Sequence, residues 1–499
     1  MVFPLLYEIN TRCWLRDLSE TCGEAITLSN VPEEQLRRWQ RLGFSHIWLM
    51  GVWASGPRSR TQALTHAGLQ SGYADALPGW QEADVGGSPY AISDYHANPT
   101  LGGEAGLTAF RERLHAYGLK LILDFVPNHL GLDHPWARER PELFVQNPRP
   151  TPEVFAQETV AGQRWLAYGK DPYFPGWTDT VQLDYRLPAT RAAMASLLQS
   201  VAERCDGVRC DMAMLLLEDV FAKTWERFPI SEQIPEADRQ TPSPEFWTWA
   251  ISAIKARQPE FLFLAEVYWG LEGRLRALGF DYTYDKELYN LLLARNAAGT
   301  QQHLLGLPSE LLGAGAHFLE NHDEGRVASA LSLAAHRAAA LVILGLPGMR
   351  FLHDGQLSGA RRRLPVQLRR RAHEPVQREV ESMYEQLLAA LPATAVGRGR
   401  GQLLHPHPAW PTNPTAQNFV VVQWQDQPPE FDLVVVNLAP HSSQCYVRLP
   451  VGNLAQHDWT MRDLLSAEQH QRTGADLSDH GLYLDLPGHG AQLFRFQPG

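Results

Sequence analysis

The sequence has few cysteines, and this narrows the class of protein it can encode. It contains five cysteines, an odd number, and none of them forms a Cys-x-x-Cys pair of the kind that binds metal. Cys13 and Cys22 could pair if the chain were exported, whereas Cys205 and Cys210 flank an apolar run and are expected to pack in a core. We therefore expect reduced thiols and no disulfide framework.

Basic excess and long apolar runs are also lacking. The formal net charge is -11 and the isoelectric point is near 5.9, which gives no general basic surface for nucleic acid or anionic membranes. The opening stretch MVFPLLYEIN has no basic region and too short an apolar run for a secretion signal. No apolar run approaches the roughly 20 residues of a membrane helix. We predict a cytoplasmic protein without nucleic-acid or membrane partners, and the oligomeric state stays open.

The pattern that is present alternates amphipathic helices with apolar strands. EEQLRRWQRLG (33–43) predicts a helix with a glycine stop, and FSHIWLMGVW (44–53) behind it predicts a strand buried on both faces. The unit recurs along the chain, and eight strands can be counted in all. That number favours a closed (β/α)₈ TIM barrel over an open doubly wound sheet.

Two segments interrupt the alternation, and 499 residues are enough for two or three domains. Residues 130–186 follow the third strand, are rich in Pro, Trp, Tyr and Asp, and predict a small inserted domain. Residues 392–499 contain short β-rich runs such as NFVVVQWQ and predict a C-terminal antiparallel β-sandwich. Residues 1–129 and 187–391 are then the barrel.

Charged residues follow four of the predicted strands, at the edge where barrel enzymes carry their chemistry. They are Asp124 and His129 (third strand), Arg209 and Asp211 (fourth), Glu266 (fifth), and His322 and Asp323 (seventh). Two carboxylates about 5 to 5.5 Å apart across a sugar permit retaining glycoside chemistry, one as nucleophile and one as proton donor. Arg209 and Asp211 are two residues apart, so both should point to the same side of their strand.

These residues lie in short motifs that occur in a characteristic order. The motifs are SPYAISDY (88–95), DFVPNH (124–129), VQLDY (181–185), GVRCDMA (207–213), AEV (265–267) and ENHDE (320–324). The chain thereby resembles the α-amylase family, glycoside hydrolase family 13, over most of its length. The resemblance implies a retaining glycosidase, a hydrolase or transglycosylase of carbohydrate metabolism.

The resemblance also implies roles for individual residues. Asp211 would be the nucleophile, Glu266 the general acid/base and Asp323 the transition-state stabiliser. The implied substrate-binding residues are Tyr90, His129, Arg209 and His322, where Tyr90 stacks on the sugar and Arg209 supports Asp211. The remaining motif acids are implied to be neighbours or architectural residues: Asp94, Asp124, Glu320 and Glu324.

The chain departs from the family pattern after the proposed nucleophile. Met214 and Leu215 stand where many α-amylases have a Lys-His pair that contacts the acceptor sugar and supports a calcium site. Asn128 and Asp184 match positions that can bind calcium, yet two ligands fall short of the six to eight that calcium takes. No cofactor is implied with certainty, calcium remains possible, and no metal ligand is assigned.

Two further groups of residues have alternative interpretations. Four aromatic residues of the inserted segment are either sugar platforms or its small core: Tyr173, Phe174, Trp177 and Tyr185. The basic run from Arg361 to Arg371 follows the eighth strand, where barrels often bind phosphate, but such runs are commonly salt-bridged loops.

Three functions follow. The first is hydrolysis or transfer on α-1,4-linked glucans or malto-oligosaccharides through a glycosyl-enzyme intermediate. The second is an isomerase or phosphorylase of a disaccharide of the sucrose or trehalose type, favoured by the missing Lys-His pair. The third, a non-catalytic carbohydrate-binding scaffold, is disfavoured because all three catalytic acids are present.

Overall fold

A closed barrel of eight parallel strands forms the centre of the computed structural model, which describes residues 2–230 and 245–499. Each strand pairs with the next along the chain, and the last pairs with the first. The strands are β1 (Leu5–Asn10), β2 (His46–Met50), β3 (Lys120–Phe125), β4 (Gly207–Cys210), β5 (Leu262–Ala265), β6 (Tyr282–Tyr284), β7 (Gly315–His317) and β8 (Met349–His353). The predicted (β/α)₈ barrel is confirmed.

Helices return the chain between parallel strands, as this strand arrangement requires. Glu33–Arg41 illustrates why they form: acidic residues open the helix, basic residues close it, and Leu36 and Trp39 face inward. The helices around the barrel are Thr11–Cys22, Glu33–Arg41, Pro57–Thr65, Ala67–Ala76, Gly103–Ala116, Pro188–Ala202, Glu218–Trp225, Phe246–Lys255, Glu272–Ala277, Lys286–Leu293, Ala297–Gly306, Ser309–Leu312, Val327–Ala330, Leu333–Gly345 and Arg378–Ala390. Within residues 2–230 and 245–499, no helix combines the length and apolarity needed to cross a membrane.

The segment between β3 and β4 carries a small antiparallel sheet of its own. Its strands are Gln146–Asn147, Val154–Thr159 and Gly162–Ala167, and the short helix Pro135–Glu139 precedes them. A second pairing, His129–Gly131 with Thr180–Gln182, joins the two ends of the segment. The segment therefore begins and ends at one place beside the end of β3.

The C-terminal region is built from two antiparallel sheets. The six-stranded sheet has the order Arg400–Leu403, Phe419–Gln425, Phe431–Asn437, Ala491–Pro498, Asp458–Asp463 and Gln469–Thr473. The three-stranded sheet has the order Pro406–Pro408, Ser443–Val447 and Leu482–Leu486, and the short helix Gly474–Asp479 lies between strands. Side chains of both sheets share one apolar core, so the predicted C-terminal antiparallel fold is confirmed. The boundaries at 129/130, 186/187 and 391/392 stay predictions.

Trp424 anchors the C-terminal sheet on the barrel. Its side chain is fully buried, its indole Nε1 donates to the Gly345 carbonyl at 2.7 Å, and its ring meets Phe3 edge-on at 5.9 Å. Gly345 has a packing reason to be glycine, because a Cβ there would lie 2.7 Å from Cγ1 of Val434. The helix that ends at Gly345 can therefore approach the sheet closely.

Trp424→Ala is expected to lower the free energy of unfolding by about 3 to 5 kcal/mol, because it leaves a cavity and an unpaired carbonyl at this contact. Urea denaturation followed by tryptophan fluorescence and circular dichroism measures the change. Trp410→Ala is the matched control, since Trp410 lies in the same region but is 49% exposed; its effect should stay within about 0.5 kcal/mol. Equal effects of the two substitutions would contradict this view of the interface.

Candidate active site

The charged residues of the barrel lie one layer above its apolar interior. Glu8, Asp124 and Glu266 each lie two positions beyond an interior residue of the same strand, namely Leu6, Ile122 and Leu264. Because side chains alternate along a strand, these carboxyl groups also point inward, at the carboxyl end of the barrel. The apolar layer beneath them closes the bottom of the site.

Arg209 brings the two predicted catalytic carboxylates together. Its side chain is fully buried; Nη1 donates to Oδ1 of Asp211 at 2.6 Å, and Nη2 forms an ion pair with Oε2 of Glu266 at 2.7 Å. The second contact is close but is not aligned as a hydrogen bond. Asp211 and Glu266 therefore converge on opposite arms of one guanidinium, as the strand-end positions predict.

Three aromatic rings enclose the same guanidinium. Its central carbon lies 5.3 Å from the ring centres of both Trp48 and Tyr90 and 5.8 Å from that of Tyr284. Such cation–π contacts stabilise a cation that water cannot reach. Sequence reasoning missed Trp48 and Tyr284, because an aromatic residue inside an apolar strand cannot be distinguished from ordinary core.

The turn after β4 fixes Asp211 and Glu266 relative to each other. The Asp211 amide donates to the Phe125 carbonyl at 2.9 Å, which extends the strand pairing by one residue. Met212 then adopts a left-handed conformation with φ of 43°, unusual outside glycine. In that conformation its amide donates to Oε2 of Glu266 at 2.8 Å, and the Ala213 amide donates to the Glu266 carbonyl at 3.0 Å.

The environment separates the acidities of these groups. Burial raises the pKa of Glu266 to about 7, an effect that Arg209 opposes and the charges of Asp211 and Asp323 reinforce. Burial also raises the pKa of Asp211, against the charge and hydrogen bond of Arg209. The hydroxyl of Tyr268 donates to Oε1 of Glu266 at 2.7 Å. Sequence reasoning missed Tyr268, although its position two residues after Glu266 was a signal.

His322 links Asp323 to β1. Its Nδ1 lies 2.5 Å from Oε1 of Glu8, and its Nε2 lies 2.9 Å from both Oδ2 of Asp323 and the hydroxyl of Tyr90. Burial alone would lower the pKa of His322, but the charges of Asp323 and Glu8 raise it well above its ordinary value. His322 in turn holds the pKa of Asp323 well below its usual range, although burial acts in the opposite direction.

This arrangement fixes Tyr90 as well. Its ring stacks on the His322 imidazole with centres 5.3 Å apart and planes 23° from parallel. Sequence reasoning missed Glu8, and the available signal was an acidic residue inside the otherwise apolar run LLYEI. Whether His322 and Tyr90 also contact a sugar stays a prediction.

Asp124 and Asp94 have different surroundings. Asp124 is buried, accepts from the Gly51 amide at 3.0 Å and from Nε1 of Trp48 at 3.2 Å, and so supports the wall of the site. Gly51 has φ of +76°, a backbone conformation that favours glycine. The expectation that Asp94 is architectural was wrong, because its side chain is 55% exposed and pairs with exposed His96. Strand alternation directs Asp94 outward.

Glu320 and Glu324 have structural partners, in keeping with a neighbouring role. Glu320 is fully buried, where Oε1 accepts from Arg326 Nη1 at 2.6 Å and Oε2 accepts from the Val327 amide at 2.8 Å. Glu324 forms an ion pair with Lys286. These contacts hold the loop that carries His322 and Asp323.

His129 lies at the entrance to the inserted segment. It is buried, which lowers its pKa to about 4, and it hydrogen-bonds to the backbone of Tyr90. The ring of Trp177 lies 5.1 Å from its imidazole. His129 is therefore neutral near pH 7 and adjacent to Tyr90, while its predicted contact with a sugar hydroxyl stays a prediction.

The positions considered for calcium do not fit that ion. Oδ1 of Asn128 accepts from Nε2 of Gln182 at 3.0 Å, and both carboxylate oxygens of Asp184 are held by Arg186, at 2.8 and 2.7 Å. A guanidinium therefore already supplies the positive charge beside Asp184. Across the described ranges, no group of three or more His, Cys, Asp or Glu side chains could hold a metal ion.

The aromatic residues of the inserted segment divide between the two interpretations. Tyr185 belongs to the core, where it packs on Phe246. Tyr173 is 63% exposed, and its ring meets that of Trp269, itself 41% exposed, at 4.9 Å. Trp269 lies three residues beyond Glu266, so this exposed pair borders the site.

The arginine run after β8 also divides. Arg370 pairs with Asp84 at 2.6 Å, and Arg371 pairs with both Asp17 and Asp354 at 2.6 and 2.7 Å. The segment from Arg361 to Arg363 is exposed. The run is therefore partly a salt-bridged loop and does not act as one basic surface.

The fold and the site define a (β/α)₈-barrel protein in which a buried arginine holds paired carboxylates at the barrel mouth. The chain belongs to the alpha-amylase family, because the family model for the alpha-amylase catalytic domain matches residues 33–386.

Known proteins of this kind resemble the chain at modest identity. It is 26% identical over 372 residues to alpha-amylase MalA of Haloarcula japonica, covering 72% of this chain and 44% of that protein. It is 25% identical over 211 residues to the alpha-1,4-glucan:maltose-1-phosphate maltosyltransferase of Pseudomonas aeruginosa, covering 41% and 26%. The chain thus spans less than half the length of either relative.

A solved structure supports the fold over the whole chain. The alpha-amylase from Lactobacillus plantarum superposes with a TM-score of 0.64 at 21% identity, covering 99% of both chains. At that identity the likeness shows the fold alone.

Glu8→Gln is expected to lower the pKa of His322 by about 1 to 3 pH units, because it removes one of the two negative charges that stabilise the imidazolium. Nitrogen-15 NMR titration of selectively labelled histidines measures the change. Glu34→Gln is the control, since Glu34 is exposed and pairs with Arg41; it should leave the His322 titration in place. An unchanged His322 titration in Glu8→Gln would disprove the assigned role of Glu8.

Proposed function

We propose that the protein is a retaining α-glycosidase or transglycosylase that acts on α-1,4-linked glucans or malto-oligosaccharides. The observation that carries this proposal is the convergence of Asp211 and Glu266 on Arg209, with Asp323 joined to them through the electrostatics of the site. Membership of the alpha-amylase family and relatives named as alpha-amylase and maltosyltransferase support it.

In the proposed reaction, Asp211 attacks the anomeric carbon and forms a covalent glycosyl-enzyme while Glu266 gives its proton to the leaving oxygen. Glu266 then removes a proton from the incoming water or sugar hydroxyl, which attacks the same carbon and releases Asp211. Arg209 favours the ionised form of Asp211. The pKa of Glu266 near 7 suits a group that must donate and then accept a proton.

Other residues are proposed to hold the sugar. Asp323 stays ionised beside His322 and would accept hydroxyl hydrogen bonds that strengthen as positive charge develops on the ring. Tyr90, fixed by its stacking on His322, would pack on the sugar face, and His129 would bind a hydroxyl. Glu8 positions His322 and therefore acts indirectly.

An extended substrate is supported by the exposed aromatic pair of Tyr173 and Trp269, since aromatic faces beside a cleft suit additional sugar units. Met214 and Leu215 are both buried in the turn after β4, so neither offers a polar contact to an acceptor. This departure also keeps the second candidate open, a disaccharide-active isomerase or phosphorylase.

A cytoplasmic location is part of the same proposal. It rests on the composition and on the cysteines, which are all free in the structure; Cys13 is buried while Cys22 is exposed, so the two do not pair.

Product analysis on maltoheptaose, maltose, sucrose and trehalose, with and without inorganic phosphate, tests the function. Shorter and longer malto-oligosaccharides from maltoheptaose are expected, with products released as the α-anomer. Asp211→Asn and Glu266→Gln should each reduce turnover by about 10³-fold or more, because each removes a group needed in both steps.

Asp94→Asn is the matched control for those variants, because Asp94 lies in a family motif but is exposed; it should retain near wild-type turnover. Phosphorolysis or isomerisation of sucrose or trehalose without action on maltoheptaose would favour the second candidate. Near-normal turnover in Asp211→Asn or Glu266→Gln would refute the catalytic assignment.

The pH dependence should follow Glu266. Its pKa is raised to about 7, so the protonated acid is present below that pH and kcat/KM should fall as pH rises through about 7. Tyr268→Phe removes a donor that stabilises the ionised carboxylate and should move this limb to higher pH. A rate that stays level to pH 9 would contradict the assignment of Glu266.

A further inference from the structure

A cavity of about 950 Å³ lies on the rim of the barrel, and the catalytic carboxylates do not line it. It is bounded by the helix Thr11–Cys22, the loop after β2 and Arg369 from the loop after β8. Three arginines from these separate elements line it: Arg12, Arg60 and Arg369.

The three guanidiniums are held by neutral oxygen atoms. Arg12 donates to the Gly87 carbonyl at 2.8 Å and to the Ser55 hydroxyl at 3.2 Å. Arg60 and Arg369 both donate to the Val85 carbonyl, at 2.9 and 3.1 Å. Nε of Arg369 is buried and has no hydrogen-bond partner.

The side chains are close enough to repel one another. A Cβ placed on Gly86 would lie 3.1 Å from Nη1 of Arg12 and 3.3 Å from Nε of Arg369, so both guanidiniums crowd one glycine. Burial, and then the charge of Arg369, lowers the pKa of Arg12 to about 10. Burial and the charge of Arg60 likewise lower the pKa of Arg369.

No carboxylate neutralises this cluster. Over the part of the chain that the structure describes, no acid lies within 4 Å of the guanidinium nitrogens of Arg12, Arg60 or Arg369. Among the nearby acids, Glu20 pairs with Arg16 and Asp84 pairs with Arg370, whereas Glu24, also on the lining, is exposed. The cluster therefore differs from Arg370 and Arg371, each of which has an acidic partner.

Uncompensated cations at a partly buried position raise the free energy of the protein unless an anion joins them. We propose that Arg12, Arg60 and Arg369 form a binding site for a phosphate dianion, free or carried by a small sugar. Guanidinium groups match the oxygen geometry of phosphate and bind it with charge-assisted hydrogen bonds. The cavity is larger than a bare phosphate needs, which leaves room for a sugar beside it.

The site is separate from the proposed reaction but adjoins one of its residues. Arg12 holds the Gly87 carbonyl, three residues before Tyr90, and the Ser88 hydroxyl accepts from the Tyr90 amide at 3.2 Å. An anion between the arginines would thus lie behind the segment that carries Tyr90. Binding itself does not depend on whether the chain acts on glucans.

Isothermal titration calorimetry of the full chain with inorganic phosphate and with glucose 6-phosphate, at constant ionic strength set by chloride, tests the proposal. Wild-type protein should bind at least one of them, and Arg369→Gln and Arg60→Gln should each weaken binding by about tenfold or more. Arg361→Gln is the matched control, an exposed arginine of the same run that does not line the cavity; its affinity should stay within about twofold of wild type.

The two ligands distinguish the sources of the phosphate. Tighter binding of glucose 6-phosphate supports a sugar phosphate, and equal affinities support free phosphate. Absence of binding to wild type overturns the proposal, as does an equal loss of affinity in Arg361→Gln, which would indicate general electrostatic attraction. Thermal unfolding without ligand verifies that the variants fold, and Arg60→Gln alone suffices if Arg369→Gln does not.

Discussion

The buried charge of Arg209 is the interaction on which the arrangement of the site depends. Its guanidinium lies between Asp211 and Glu266, out of contact with water, and is surrounded by aromatic rings from other strands. Without a cation there, two carboxylates would face each other in a medium of low dielectric, where their repulsion is large. The guanidinium therefore permits both carboxyl groups to point into the barrel mouth.

A second ionic network complements the first. Glu8 and Asp323 bind opposite nitrogens of the His322 ring, which carries positive charge between them. The result is a site whose carboxyl groups differ in protonation near pH 7: the pKa of Asp323 is held low, while that of Glu266 is raised. Such a separation suits acid–base chemistry at neutral pH, because one carboxyl group can hold a proton while another holds charge.

Ion pairing also distinguishes structural arginines from those free to bind a ligand. Arg186 satisfies Asp184 and Arg371 satisfies Asp17 and Asp354, so these guanidiniums stabilise loops around the barrel mouth. Arg369 lies in the same basic run as Arg371 but contacts only neutral oxygens. A position in a charged run therefore does not reveal what a given arginine does.

The sequence by itself determined the barrel and the residues at its mouth, because both depend on local patterns. Apolar runs alternating with amphipathic helices specify parallel strands, and a two-residue period fixes that Arg209 and Asp211 share a side. The ordered motifs added the position of Glu266. These features need no knowledge of which distant residues meet.

Tertiary structure alone decided the partners of those residues. Glu8 reaches His322 across 314 positions, a contact that no local period encodes. The exposed position of Asp94 depends on how its strand packs, although its motif suggested a buried role. The division of the arginine run likewise depends on which acids the neighbouring helices and loops place beside Arg370 and not beside Arg369. Electrostatic partners are set by distances in space, and sequence patterns report only neighbours along the chain.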